Sequence, residues 1–268
     1  MKRIFATLSL FAILTSLTSC DLKHDDDINL DQIWMSDLYG KWDIWSTESI
    51  GYESIEFSTE GYYFIEESKS GATMDQEVLY GKYKKTGDYQ VTAYDVGVLD
   101  ITDYSDTKIW YDITLDGKTQ SETHKATSAV DRDETISDNT DLIGTIWKVY
   151  SYSYEAYQEI FNIETDVAYL YISTAGTFIS IDKSGNAYSY EWTWSNTDED
   201  EIKVSNGNSY SNWTLEGIST FEVSDLSNND MLFEFETDIT VDTEDGTETL
   251  TNIPFTMRFE RSSNITIE

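Results

Sequence analysis

The sequence predicts an all-β protein built from two similar halves. Three observations carry this reading. Short runs alternate apolar and polar residues and are separated by turn-forming residues, the pattern of a β-sandwich or barrel. Aromatic residues make up 14% of the chain, enough to build a core, while one proline and 14 glycines are too few for a disordered or collagen-like chain. The phrase DLYGKW at 37–42 returns as DLIGTIW at 141–147.

The chain opens with Lys2 and Arg3, followed by a mostly apolar run from Ile4 to Leu17 that is too short to span a bilayer as a helix. These are the marks of a secretory leader over residues 1–19, which lies outside the fold. Leu17, Thr18, Ser19 and Cys20 resemble a bacterial lipobox. That resemblance implies cleavage before Cys20 and a lipid on its sulfur. Cys20 is the only cysteine, so it has no partner for an intramolecular disulfide and is too few for a zinc site. Several acyl chains hold a membrane far better than one, at about 0.8 kcal/mol per buried methylene.

Residues 20–34, with the run DLKHDDDINLDQ, read as an acidic tether. Acids directly after the cysteine resemble the surface-export signal of Bacteroidota lipoproteins, which implies an outer-membrane anchor facing the cell exterior. In enterobacteria an aspartate at that place would imply inner-membrane retention instead.

Formal net charge is -34, and loss of the leader with Lys2 and Arg3 makes it about -36. A nucleic-acid partner needs a basic footprint, and this chain has the opposite. Anionic lipid should repel it as well, so membrane contact falls to the lipid anchor. Abundant acid also raises calcium. DKSGN at 182–186 has the opening spacing of a calcium loop, but Ala187 and Thr193 stand where an EF-hand needs Gly and Glu.

In the first half, strands are expected at 40–47, 52–58, 61–67, 78–85, 88–94, 96–102, 107–115 and near 121–128. STEG at 58–61 and LDGK at 115–118 are turn signals. In the second half they are expected at 144–152, 168–174, 176–182, 188–194, 200–205, 218–225, 230–239 and 253–261. FSTEGYYFI at 57–65 is echoed by ISTAGTFIS at 172–180. The second copy therefore carries about eleven extra residues after its first strand, within YSYEAYQEIFNIETD, long enough for one short helix. Residues 131–140 are polar and acidic and read as a linker between domains at 35–130 and 141–268.

Gly40 and Trp42 on the first strand, followed by a meander of about eight strands, resemble the lipocalin-like barrel. Leader, lipobox and two such copies are similar to tandem lipocalin-like lipoproteins of the Bacteroidota. The resemblance implies two tandem lipocalin-like antiparallel β-barrels of about eight strands each. Gly144 and Trp147 repeat the motif with one residue more between them, a slip that would turn Trp147 to the other face unless a bulge absorbs it. The resemblance further implies an arginine covering each tryptophan, with Arg258 or Arg261 available in the second copy and only Lys125 or Arg132 in the first.

Catalytic constellations are sparse. His24 and His124 are the only histidines, so a Ser-His-Asp triad would have to use His124, and no G-x-S-x-G elbow or glycine-rich phosphate loop is present. No cofactor and no metal site is expected. Carboxylate pairs cannot be chosen among so many acids without geometry.

The uneven feature is aromatic. Tyr188, Tyr190, Trp192 and Trp194 share one face of a strand, as core or as a stacking platform for sugar rings. Tyr150, Tyr152 and Tyr154 share a parity opposite to Trp147, so an inward Trp147 would turn them outward as a recognition surface. The chain thus reads as a non-catalytic, lipid-anchored binder of a glycan or small apolar molecule. The alternatives are a structural or adhesion lipoprotein acting through a protein partner, and a glycan-processing enzyme.

Overall fold

The computed structural model describes residues 33–45, 52–67, 76–105, 107–115, 118–119, 124–128, 136–205, 219–243 and 246–267. Cys20, the tether before residue 33, His24 and Arg132 lie outside them.

A short helix α1 (Met35–Leu38) leads into β1 (Gly40–Trp45). An antiparallel meander follows: β2 (Tyr52–Phe57), β3 (Tyr62–Glu67), β4 (Gln76–Lys85), β5 (Gln90–Ala93), β6 (Gly97–Ser105) and β7 (Lys108–Leu115). The two-residue β8 (Lys118–Thr119) folds back on β7, and β9 (His124–Ser128) pairs with both β7 and β1. Strands β1 to β7 and β9 thereby close an eight-stranded antiparallel barrel.

The chain then forms α2 (Asp138–Ile143), β10 (Ile146–Ala156), β11 (Glu159–Asn162), β12 (Val167–Ile172), β13 (Thr177–Asp182), β14 (Ala187–Trp194), β15 (Glu201–Ser205), β16 (Thr220–Ser224), β17 (Asp230–Thr243) and β18 (Gly246–Ser262). From β12 to β18 each strand pairs antiparallel with the next, and β10 pairs with β11, β12 and β18. A short pairing of β14 with β4 joins the two sets of strands.

Four expectations need correction. The extra residues of the second copy form no helix; β10 runs on to Ala156 and turns back as β11. Their alternation, with Tyr154 stacked on Phe161 at 5.1 Å, is better satisfied by a hairpin. The span read as linker includes the start of α2, which Ser137 caps by accepting the Thr140 N–H. The slip before Trp147 does not reverse it, since Trp147 is buried and bonds a carbonyl four residues earlier as Trp42 does; the three tyrosines do not share an outward face, because a bulge between Val149 and Ser151 resets the parity after Trp147. Tyr152 is buried, Tyr154 packs against the core, and only Tyr150 is exposed. No arginine lies over Trp147 among the described contacts: Arg258 pairs with Asp230 and sits over Tyr150, while Arg261 stands opposite Trp147 in the ladder but is itself exposed; for Trp42 the expectation falls on Arg132 and the Lys125 side chain, which lie outside the described residues. For Lys125 the described structure shows only that its backbone pairs with Trp45 and Trp110.

Trp42 and Trp147 are both fully buried, one in each of two separate cores. Each donates its indole N–H to a carbonyl four residues earlier: Trp42 to Leu38 at 2.8 Å, Trp147 to Ile143 at 2.9 Å. Each thereby bonds a carbonyl at the end of a short helix, where intrahelical donors run out; the Ile143 carbonyl also accepts the Thr145 N–H at 2.8 Å. By this correspondence Thr145, not Gly144, takes the place of Gly40. Gly144 is needed for closeness, since a Cβ there would lie 2.6 Å from Thr174 Cγ2. The turns at 58–61 and 173–176 also match, with Gly61 at φ 81° and Gly176 at φ 85°, a region that favours glycine.

A third core lies between the two sets of strands. β2, β3, β12 and β13 are buried on both faces over most of their length, which is why YYFI and YLYI are continuous apolar runs rather than alternating ones. Inward residues fill the first two cores, and Tyr62, Phe64, Tyr169, Tyr171, Ile179 and Ile181 meet in the third. Phe64 stacks on Tyr171 at 4.2 Å. The C-terminal residues run across this seam: the Ile265 N–H donates to the Tyr62 hydroxyl at 2.6 Å, and the Thr266 N–H to the Tyr169 hydroxyl at 3.2 Å.

Candidate ligand-binding cup

A cavity of about 760 Å³ opens at one end of the second set of strands. Its floor is aromatic. β10 supplies Tyr152 and Tyr154, β14 supplies Tyr188 and Tyr190, and β18 supplies Phe255. These places follow from the two-residue period of each strand together with the bulge in β10, which brings Tyr152 and Tyr154 to the inner side. Phe255 lies 5.7 Å from the Tyr152 ring and 5.4 Å from that of Tyr154. Ile163, Val167, Ile239 and Val241 complete the apolar wall.

The rim is acidic. Glu164, Asp166 and Asp238 are exposed, and Asp182 is half-buried. Asp182 Oδ1 accepts the N–H groups of Ser184 at 2.8 Å and Asn186 at 2.9 Å, and Oδ2 accepts the Asn186 side-chain amide at 2.8 Å. Burial alone would raise its pKa, but these hydrogen bonds outweigh it and hold the carboxyl below its ordinary range. In DKSGN, Asp182 therefore braces the β13–β14 turn. Among the described residues, no group of three or more His, Cys, Asp and Glu side chains is placed to hold a metal ion.

The structure divides the seven aromatic residues singled out from sequence. Tyr152, Tyr154, Tyr188 and Tyr190 meet in the cup. Trp192 and Trp194 are tied elsewhere, to parts of the chain next to and within α2's neighbourhood: Trp192 donates to the Ser173 carbonyl at 2.8 Å and Trp194 to Thr140 Oγ1, within α2, at 2.9 Å. Tyr150 stands outside, where its ring lies 5.9 Å from the Arg258 guanidinium. Phe255, Ile163, Ile239, Glu164, Asp166 and Asp238 were not identified from sequence, and Asp182 was singled out only as the start of DKSGN. Phe255 sits in a strand whose alternation is ordinary, and the others come from the extra hairpin and the far end of β17, whose inner faces depend on the bulge and on tertiary closure.

A second cavity, of about 220 Å³, lies at the seam and is lined in part by Glu56, Glu60, Tyr171, Ser173 and Arg261. Tyr171 donates to Glu56 Oε1 at 3.0 Å. Burial raises the Glu56 pKa, and the nearby Ser173 and Thr177 hydroxyls only moderate the rise. Among the described residues, no well-formed hydrogen bond reaches the buried Glu56 Oε2 or Thr177 Oγ1.

A scan of known protein-family models finds no match to this chain, and no curated protein matches it either.

Proposed function

We propose that this chain is a non-catalytic binding protein of the outer membrane, anchored through lipid on Cys20 and facing the cell exterior. Its two halves are read as tandem lipocalin-like barrels, at 35–130 and 141–268. The second binds a glycan or a small apolar molecule in its cup. Support for the tandem reading comes from the matched tryptophan–carbonyl bonds, the matched turns, and the ladder that runs from β12 to β18 and returns through β10.

The observation that carries the binding reading is the aromatic floor of an open cavity of about 760 Å³. That volume lies within the range of about 300–1,000 Å³ usual for small-molecule sites. Tyrosine faces give large stacking area with little side-chain entropy to lose. A thermal-shift screen of the mature protein against glycans and small ring-bearing molecules, neutral, anionic and cationic, tests it: a saturable rise in melting temperature with at least one class is expected, and a flat response across the whole panel would remove the reading. The anchor has its own test. Cys20→Ser should move the protein from the membrane fraction to the soluble fraction, and continued membrane retention would count against lipidation.

A further inference from the structure

The same cup carries information about the charge of what it holds. Its floor is a set of tyrosine faces and Phe255, and its rim bears Glu164, Asp166, Asp182 and Asp238. Among the described residues that line it, none is Lys, Arg or His. The chain from residue 141 onward has five cationic side chains, Lys148, Lys183, Lys203, Arg258 and Arg261. Lys148 and Lys183 line an adjoining groove that shares Tyr152, Ile163, Thr165 and Val167 with the cup but are not among the cup's own lining residues, and Arg258 is engaged with Asp230 at 3.1 Å. The rim charge is therefore not neutralised from within the lining.

Three kinds of occupant can be compared. An anion would be repelled by up to four carboxylates. A neutral ligand that covers the rim would strip water from charges and return no countercharge. An organic cation gains on both counts, because its charge offsets the rim and its cationic carbons or N–H groups sit well on tyrosine faces. A bare metal ion fits poorly, since hard cations need several oxygen ligands converging at bonding distance. Among the described residues no three acidic or histidine groups are so placed.

We propose that the ligand of this cup is an organic cation: an amine whose ring body stacks on the tyrosine floor and whose ammonium group lies among the rim carboxylates. This rests on the reading of the cup as a binding site and narrows its ligand to one charge class. Aminosugars and aromatic amines both meet the description, and the shared chemistry is a protonated nitrogen attached to a ring that can stack.

The test is calorimetric titration of the mature protein at low salt with matched probes. Tyramine is set against tyrosol and 4-hydroxyphenylacetate, and the glucosamine trimer against the N-acetylglucosamine trimer. The amine of at least one set should bind roughly tenfold tighter than its neutral counterpart, corresponding to about 1.4 kcal/mol. The carboxylate should not bind detectably. The amine's advantage should shrink in Glu164→Gln/Asp166→Asn, two exposed changes that leave the core untouched, and should shrink as salt screens the rim. Neutral probes binding as well as the amines would overturn the cation assignment and leave the cup standing as a site. No binding by any probe would overturn both.

Discussion

The rings of Phe64 and Tyr171 lie 4.2 Å apart between centroids and 12° from parallel, buried between the two sets of strands. Tyr171 also donates its hydroxyl to Glu56. Under the echo that matches the two turns, Glu56 and Tyr171 occupy equivalent positions of the repeat. Equivalent residues that touch place a pseudo-two-fold axis near them, as at the centre of an isologous dimer interface. The seam is thus a packed core joining the halves.

Phe64→Ala removes this ring from a closed apolar layer. A loss of about 3–5 kcal/mol is expected, from lost transfer energy and the cavity left behind. Urea unfolding followed by tryptophan fluorescence measures it. A change below about 1 kcal/mol would mean that the seam relaxes around the gap and contributes little.

Glu56 should make stability fall as pH rises. Its folded pKa is raised, first by burial. The unfolded chain therefore releases this proton near the ordinary value of 4.5 while the folded chain still holds it. Stability is lost progressively from about that pH up to the folded pKa, then levels off. Glu56→Gln removes this slope and should raise the melting temperature more at pH 7 than at pH 4. Equal effects at both pH values would contradict the assignment.

Glu66 behaves in the opposite sense. Burial would raise it, but the Lys41 ammonium at 2.8 Å and hydrogen bonds from Ser189 and Ser54 hold it below its ordinary value. Its contribution is present above about pH 4.5 and is lost as pH falls through the lower folded value. Lys41→Met strands a largely buried carboxylate. A cost of about 3–5 kcal/mol is expected at pH 7, shrinking in acid as Glu66 is protonated. A pH-independent cost would point to lost packing alone.

Trp42 and Trp147 should respond alike. Each Trp→Phe change removes one buried indole bond to a helix-end carbonyl, worth about 0.5–1.5 kcal/mol net, together with some packing. Differential scanning calorimetry of the two single variants should give similar losses. A large effect at one site and none at the other would break the equivalence of the two positions.

Much of this architecture was legible because most strands have one buried face. EIKVS and TFEVS alternate in sequence and alternate in burial. The second copy of the tryptophan was also visible, though its glycine pointed to the wrong match, Gly144 for Gly40. What stayed hidden depends on residues far apart in the chain. YYFI and YLYI announce burial on both faces but not what covers the outer one. The bulge at Tyr150 reverses the parity of the tyrosines after it, and no local pattern marks it. The cup was half legible: four of its tyrosines stand in conspicuous stripes, while Phe255, Glu164, Asp166 and Asp238 are ordinary in sequence and meet Asp182 only when β10, β12, β13, β14, β17 and β18 come together.

The central claim is that the tyrosine cup holds a ligand. Its most direct test is titration of wild type and a Tyr154→Ala/Tyr188→Ala variant with the ligand that the screens identify, with far-UV circular dichroism confirming that both are folded. Both side chains line the cavity and neither is fully buried. Two stacking contacts of about 0.5–1.5 kcal/mol each predict a fall in affinity of roughly tenfold. A folded variant that binds as tightly as wild type would contradict the claim.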